Sequence, residues 1–345
     1  METTLIDTRI IQFSSSGKIE TYTNRDNTFL NILSYIDIKP RKIHLDKILN
    51  EGSYNTIYSI INSRNKIEKK LIMRLSKKKV TFSGIKMELK GVKINKKLCT
   101  KNRNIGKVID YGRIITKDDT YHQEYSILER YGVSLKFLLE SSNTYKNINV
   151  PLRFIRQFLE TLDCIHSNGY AHLDLKPSNI LLKKIFKNKR IIDNLEFSLI
   201  DFGACRPFQT NESRFIKKQM ASAAFSPPEL MDRNFGKKND IWAFGVIVYL
   251  VITNRFFFKA NGIKMFVNKN KKVIEKNIKR ELVKLRKNII PSKIKSMDGI
   301  GDYLQNMNSD FHIDILNDFF LKIFTIDPVK RPTTTELLDH PLFKI

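Results

Sequence analysis

Disulfides, membrane spans and an export signal are three things for which this chain lacks the residues. Its three cysteines, Cys99, Cys164 and Cys205, lie far apart and form no C-x-x-C pair. That excludes a disulfide scaffold and a cysteine zinc site and fits a reducing, intracellular and cytoplasmic setting. The longest apolar run, Ala243 to Ile252, is about half the length a membrane-spanning helix needs. The N-terminus, METTLIDTRI, is acidic early and has no apolar core segment, so it does not read as a secretory signal. Histidines 44, 122, 166, 312 and 340 show no metal-ligand spacing, and no internal repeat is evident. Acidic residues are scarce as well: 35 Asp+Glu against 61 Lys+Arg leave a formal charge of +26.

Such a charge attracts phosphate whatever the fold, which keeps nucleic acid open as a partner. It is not the favoured one. The excess is 43 Lys over 18 Arg in a chain also rich in Asn and Ile, the signature that coding bias in an AT-rich genome leaves. Nucleic-acid surfaces lean instead on Arg and interleaved aromatics. Residues 259–296 concentrate the charge, with thirteen Lys+Arg and two acidic residues, Glu275 and Glu281. They read either as a solvated basic helix, with Ile278, Leu282 and Leu285 on its inner face, or as a docking surface for an acidic partner.

What the chain does have is enough apolar material for a core: 41% hydrophobic and 10% aromatic over 345 residues suit one large domain or two lobes and exclude wholesale disorder. Residues 1–42 show no clear period and read as an N-terminal extension. From 43 the text alternates in short runs (HLDKIL, NTIYSII, KKLIMRL, then VIDYG and EYSILERYG), with Ile85, Leu89, Val92 and Leu98 at helical spacing between them. Downstream the period changes: Leu152, Ile155, Leu159, Leu162 and Ile165 mark an amphipathic helix after Pro151, with further helices after Asp240 and near Thr335–Leu338. The expected class is α+β, with a β-rich lobe at 43–131 and a mainly helical lobe at 132–345.

The chemistry is concentrated in His172-Leu-Asp-Leu-Lys-Pro-Ser-Asn179, followed by Asp201-Phe-Gly203. Two carboxylates and an amide stand at fixed spacing beside one Lys. A carboxylate and an Asn hold hard divalent cations through oxygen. The second carboxylate accepts a hydroxyl proton, and the Lys neutralises a transferring phosphoryl group. Upstream, Asn50-Glu-Gly-Ser-Tyr-Asn-Thr-Ile57 lies between two expected strands, where a small-residue turn covers phosphates with backbone N–H groups.

HLDLKPSN, DFG, SPPE (226–229), DIWAFG (240–245) and DPVKRPT (327–333) occur in an order and spacing that resemble the eukaryotic-type protein kinase family, from about residue 43 to the C-terminus. The resemblance implies the bilobal kinase-like fold and an ATP-dependent serine/threonine kinase using Mg²⁺ or Mn²⁺ on protein substrates, and the basic stretch 259–296 is compatible with acidic ones among them. Asp174 resembles the catalytic aspartate, and Lys176 the lysine that meets the γ-phosphate, whose presence points to Ser/Thr specificity. Asn179 and Asp201 match the metal ligands. The nucleotide set becomes Asn50, Gly52, Ser53, Tyr54, Asn55 and Ile57 in the phosphate loop, Arg74 and Glu88 as anchor and partner, Glu129 and Tyr131 at the hinge, and Leu181. Ser222 and Glu229 belong to the activation and substrate platform, Glu229 resembling the buried ion-pair partner of Arg331. Asp240 would brace the catalytic loop, and His172 and Phe202 look like stacked spine residues. The hinge text LERYGVSLKFLL is similar to that of casein-kinase-1-like and vaccinia-related kinases, without assigning a subfamily.

Several positions depart from the family. Arg74 stands where an anchoring Lys belongs and Ile72 where Ala covers adenine; Lys77 would substitute only in a longer strand. Asn50 and Asn55 replace two loop glycines. Leu173 replaces an Arg that pairs with an activation-loop phosphate, so phosphorylation of Thr210 or Ser213 is not expected to be the main switch. These departures leave open a pseudokinase scaffold that binds without transferring phosphate, and lipid or small-molecule phosphorylation is less favoured. The intact set of Asp174, Lys176, Asn179 and Asp201 favours the enzyme. Oligomeric state is not legible.

Overall fold

The computed structural model describes residues 9–13, 19–23, 29–32, 41–52, 55–62, 67–77, 82–115, 122–140, 152–183, 196–208, 214–215, 223–229, 234–253, 255–257, 271–284 and 310–344. The chain divides into two units, one of residues 1–99 with 106–130 and the other of 100–105 with 131–345. The first is β-rich and the second mainly helical, the α+β composition the sequence leads one to expect.

In the first unit one eight-stranded sheet runs in the order β2-β1-β3-β4-β5-β6-β8-β7. The strands are β1 (Arg9–Phe13), β2 (Ile19–Thr23), β3 (Phe29–Ile32), β4 (Arg41–Glu51), β5 (Asn55–Asn62), β6 (Ile67–Ser76), β7 (Val108–Ile115) and β8 (His122–Glu129). All neighbours pair antiparallel except β1 with β3. β1–β3 fall in the stretch without a sequence period.

Period two sorts the side chains of β6. Met73 is fully buried and clusters with Ile60, Tyr125 and Ile127, with Leu71 and Leu75 packed against them. Ile72, Arg74 and Ser76 therefore project from the opposite face. Helix α1 (Phe82–Leu98) buries Gly91, Ile94, Asn95 and Leu98. Leu98 is buried as expected and Val92 is half-buried, while the side chains of Ile85 and Leu89 lie outside the described residues. Lys96 ties the helix to the sheet by donating to the carbonyls of Val108 (2.9 Å) and Ile109 (2.5 Å), where β7 has a register irregularity.

The second unit is built around two helices. Its strands are short: β9 (Tyr170–Ala171), β10 (Ile180–Leu182), β11 (Phe197–Leu199), β12 (Arg206–Pro207), β13 (Arg214–Phe215) and β14 (Asn234–Phe235), paired β10–β11, β9–β12 and β13–β14. Its helices are α2 (Leu135–Glu140), α3 (Leu152–Ser167), α4 (Lys237–Thr253), α5 (Lys271–Val283), α6 (Asp310–Ile323) and α7 (Thr334–Leu338). Helix α3 buries Phe154, Ile155, Phe158, Leu159, Leu162 and Ile165 on one face. Helix α4 is buried all round from Asn239 to Thr253, so the apolar run in the sequence is a core helix. Among the described residues no helix is long and apolar enough to cross a membrane. It begins three residues before Asp240, which sits inside its first turn rather than ahead of it. In α5, Ile274, Ile278 and Leu282 form the inner face, and the helix ends at Val283, before the expected Leu285.

At Gly245, α4 comes close to the end of α6. A Cβ there would collide with Ile323 Cγ2 and lie 3.2 Å from the Phe324 ring. Gly245→Ala is expected to cost about 1–3 kcal/mol through overpacking, read as a lower midpoint in thermal or urea unfolding.

Candidate functional site

The chemistry-bearing residues fall in both units. In the second, the segment from β9 to β10 carries the polar cluster. Asp240, 1% exposed, lies at the start of α4. Its Oδ2 accepts from the backbone N–H of His172 at 2.7 Å, and its Oδ1 from that of Leu173 at 2.8 Å. His166 Nε2 lies 2.9 Å from the same Oδ2. These bonds hold Leu173 at φ 64°, a left-handed value it shares with Asp201. Such strain persists only where surrounding structure enforces it.

The turn aims Asp174. Lys176 Nζ donates to Asp174 Oδ2 at 2.6 Å, and Asn179 Nδ2 donates to the Asp174 carbonyl (2.8 Å) and to Oδ2 (3.2 Å). Asp174 Oδ1 is buried with no hydrogen-bond partner among the described residues. A buried carboxylate oxygen left unpaired is costly, and it is the atom to which an incoming hydroxyl can donate. His172 has no such freedom. It is fully buried, its Nδ1 accepts from the Asp174 N–H at 3.3 Å, and its Nε2 lies 3.2 Å from the Ile200 carbonyl. Its ring packs edge-on to Phe202 at 4.8 Å. With both nitrogens committed, His172 is a packing residue.

Asn179 and Asp201 are tied together by β10–β11 pairing and by the Ile200 N–H, which donates to the Asn179 carbonyl at 2.9 Å. Because the Asn179 amide nitrogen is spent on Asp174, its side-chain oxygen is the end left for a cation. One amide oxygen and one carboxylate are hard donors that could hold a divalent cation. Among the described residues no group of three or more His, Cys, Asp and Glu is arranged to hold a metal.

Beyond Asp201 the chain turns back along the catalytic segment. β12 pairs with β9, and Phe208 N donates to the Gly169 carbonyl at 3.0 Å. Leu173 packs with Ala171, Ala204 and Phe208. Arg206 donates to the carbonyls of Gly203 and Cys205 at 3.0 and 2.7 Å, and burial pulls its pKa down.

In the first unit, Asn50 caps locally by accepting from the Glu51 N–H, and Gly52 N donates to the Asn55 carbonyl at 2.8 Å, narrowing the β4–β5 turn. Ser53 and Tyr54 lie outside the described residues. Ile57 pairs with Arg74 across the β5–β6 ladder, and Arg74 with Ser126 across β6–β8. Lys77 lies past the end of β6 and forms an ion pair with Glu51 at 2.8 Å. It is therefore not a second occupant of the Arg74 position. Glu88 lies on α1, its side chain outside the described residues. Glu129 ends β8, and Tyr131 begins the second unit. Leu181 is half-buried on β10, bridged to Ser134.

Residues 43–343 match the family model described as the protein kinase domain. The chain belongs to the protein kinase family. It is 27% identical over 316 residues to a Dictyostelium discoideum protein named "Probable cyclin-dependent serine/threonine-protein kinase", covering 86% of this chain and 20% of that one. It is also 30% identical over 282 residues to the stk11 homolog of the same organism, a serine/threonine-protein kinase (78% of this chain, 44% of that one). A third relative is the serine/threonine-protein kinase dkf-1 of Caenorhabditis elegans, 31% identical over 219 residues (62% and 28%). The chain thus spans less than half the length of these curated relatives.

The kinase domain's remaining motif residues form a buried ion pair. Arg331, 0% exposed, grips Glu229 at 2.5 and 3.0 Å through its two terminal nitrogens. Its Nε donates to the Thr325 carbonyl and its Nη1 to that of Lys238, while the guanidinium stacks over Trp242 at 5.0 Å. Lys238 in turn donates to the Arg331 carbonyl, and burial lowers its pKa. Ser222, Thr210 and Ser213 lie outside the described residues. His166 is the functional-site residue that sequence reasoning passed over: its partner Asp240 is 74 positions away, and no local spacing announces the pair. Arg331→Leu strands a buried carboxylate and is expected to cost about 3–5 kcal/mol, with the Glu229→Met/Arg331→Met double variant losing distinctly less; equilibrium urea unfolding measures both.

Proposed function

We propose that this kinase domain is a serine/threonine protein kinase, transferring the γ-phosphoryl of ATP to Ser and Thr hydroxyls of protein substrates. The observation that carries the reading is the Asp174 carboxylate: Oδ2 is fixed by Lys176 and Asn179, while Oδ1 is buried and unpartnered among the described residues. That oxygen is suited to accept the proton of a substrate hydroxyl as its oxygen bonds to the γ-phosphorus. The bond from that phosphorus to the β,γ-bridging oxygen then breaks, and ADP leaves. Lys176, 2.6 Å from Asp174, places positive charge beside the transferring group, and its presence supports Ser/Thr over Tyr. Asn179 and Asp201 would hold the divalent cation, Mg²⁺ or Mn²⁺, which neutralises phosphate charge when bound. Little covalent work is left to the protein, so positioning and electrostatics supply the rate.

For substrates, exposed Lys272, Lys276, Lys279 and Arg280 on α5 favour proteins with acidic segments. None of the three cysteines forms a disulfide, which supports an intracellular, reducing setting.

Labelled phosphate is expected to move from ATP with Mg²⁺ or Mn²⁺ onto mixed acidic and basic protein substrates as phosphoserine or phosphothreonine. Asp201→Asn should abolish it, and no transfer from folded wild-type protein with either metal would overturn the reading in favour of a pseudokinase. Asp174→Asn is expected to lower kcat by about 10²–10⁴-fold. Its unfolding midpoint should stay close to wild type, because the lost ion pair with Lys176 is partly exposed and the unpartnered Oδ1 no longer belongs to a charged group.

A further inference from the structure

Two of the departures from the family pattern meet in space. β5 and β6 pair with Asn55 opposite Ser76 and Ile57 opposite Arg74. Asn55 and Arg74 are therefore diagonal neighbours on one face of the sheet, within reach of long side chains. The Asn55 amide has one satisfiable orientation. Turned one way, its NH₂ group opposes the guanidinium, donor against donor. Turned the other way, its oxygen accepts from both Nε and Nη2 of Arg74, each at 3.2 Å.

Two convergent donors on one oxygen do more than one bond would. They engage one edge of the guanidinium and so fix its plane and the roll of the side chain about its long axis, which a point charge on a Lys cannot match. A glycine at 55 supplies no acceptor, and a Lys at 74 supplies no fork. Each substitution alone leaves the other without its partner.

We propose that Asn55 is the positioning residue for Arg74, and that the pair works as one unit that lets an arginine serve where a lysine anchors the nucleotide phosphates. This rests on the reading that Arg74 meets those phosphates. The position filled by a glycine in the family is here recruited to orient the anchor, and the fork geometry sets which guanidinium end is presented to phosphate oxygens.

The test is a double-substitution cycle with wild type, Asn55→Gly, Arg74→Lys and the Asn55→Gly/Arg74→Lys pair, with Asn55→Ala as a second probe of position 55. ATP–Mg²⁺ affinity is measured by titration calorimetry, KM and kcat by phosphate transfer, and the unfolding midpoint by calorimetry. Each single change is expected to weaken ATP about tenfold to a hundredfold, as loss of a hydrogen bond to a charged group does. The double variant should be weakened by about threefold to tenfold less than the product of the two, with the shift mainly in KM for ATP. Asn55→Ala should follow Asn55→Gly, which separates lost acceptor from added backbone freedom. Effects that multiply independently while the wild type transfers phosphate would overturn the pairing and leave the kinase reading standing. Non-additive ATP binding without transfer would uphold the pairing and remove the kinase reading. No ATP binding by folded wild type would overturn both.

Discussion

A single buried carboxylate sets the catalytic segment. Asp240 has almost no exposure, yet it is surrounded by donors: two consecutive backbone N–H groups from the turn at His172–Leu173, and His166 from α3. Its place in the first turn of α4 adds the positive end of a helix dipole. With those donors in position the charge is tolerable, and without them it is not. The mutual requirement explains how Leu173 can be held in a left-handed conformation that costs of order 1–3 kcal/mol. From that kink follow the direction of Asp174, the reach of Lys176 and Asn179, and the commitment of both His172 nitrogens. The site is rigid because a core helix grips it from below.

The same logic shows what could be read in the letters. Motif order placed Asp174, Lys176, Asn179, Asp201, Glu229 and Arg331 in one family, and alternation after Ile57 put Arg74 at the position of an anchoring Lys; that it pairs across from Ile57 and away from the Met73 core came only with the structure. Strong periodicity gave α3 nearly to its ends. The N-terminal strands were not legible, because strand pairing draws on main-chain groups that every residue carries and residues 1–42 show no clear period. On α1 the periodicity found Leu98 but missed Gly91 and Asn95, which are buried though neither is apolar in the way a periodicity count seeks. His166 escaped because its partner is remote in sequence, and burial alone reveals the pair.

Arg74 and Asn55 illustrate a different limit. Taken one at a time, each looks like a loss relative to the family: a bulkier cation here, a forfeited glycine there. Only the register of β5 against β6 turns two apparent defects into a bonded pair. A one-residue slip would send them to opposite faces. Site-by-site comparison to a family pattern therefore overstates decay wherever the changes are neighbours in the fold.

Leu173 carries a last consequence. Its side chain, 7% exposed, is packed with Ala171, Ala204 and Phe208, so the chain beyond Asp201 is fastened to the catalytic turn by oil rather than by charge. A clamp between an arginine and a phosphate loosens as salt rises and appears or vanishes with modification. An apolar fastening answers to neither; salts that are excluded from protein surfaces tighten it, and it slackens on cooling. Cooling and excluded salts therefore act on this apolar contact in opposite directions.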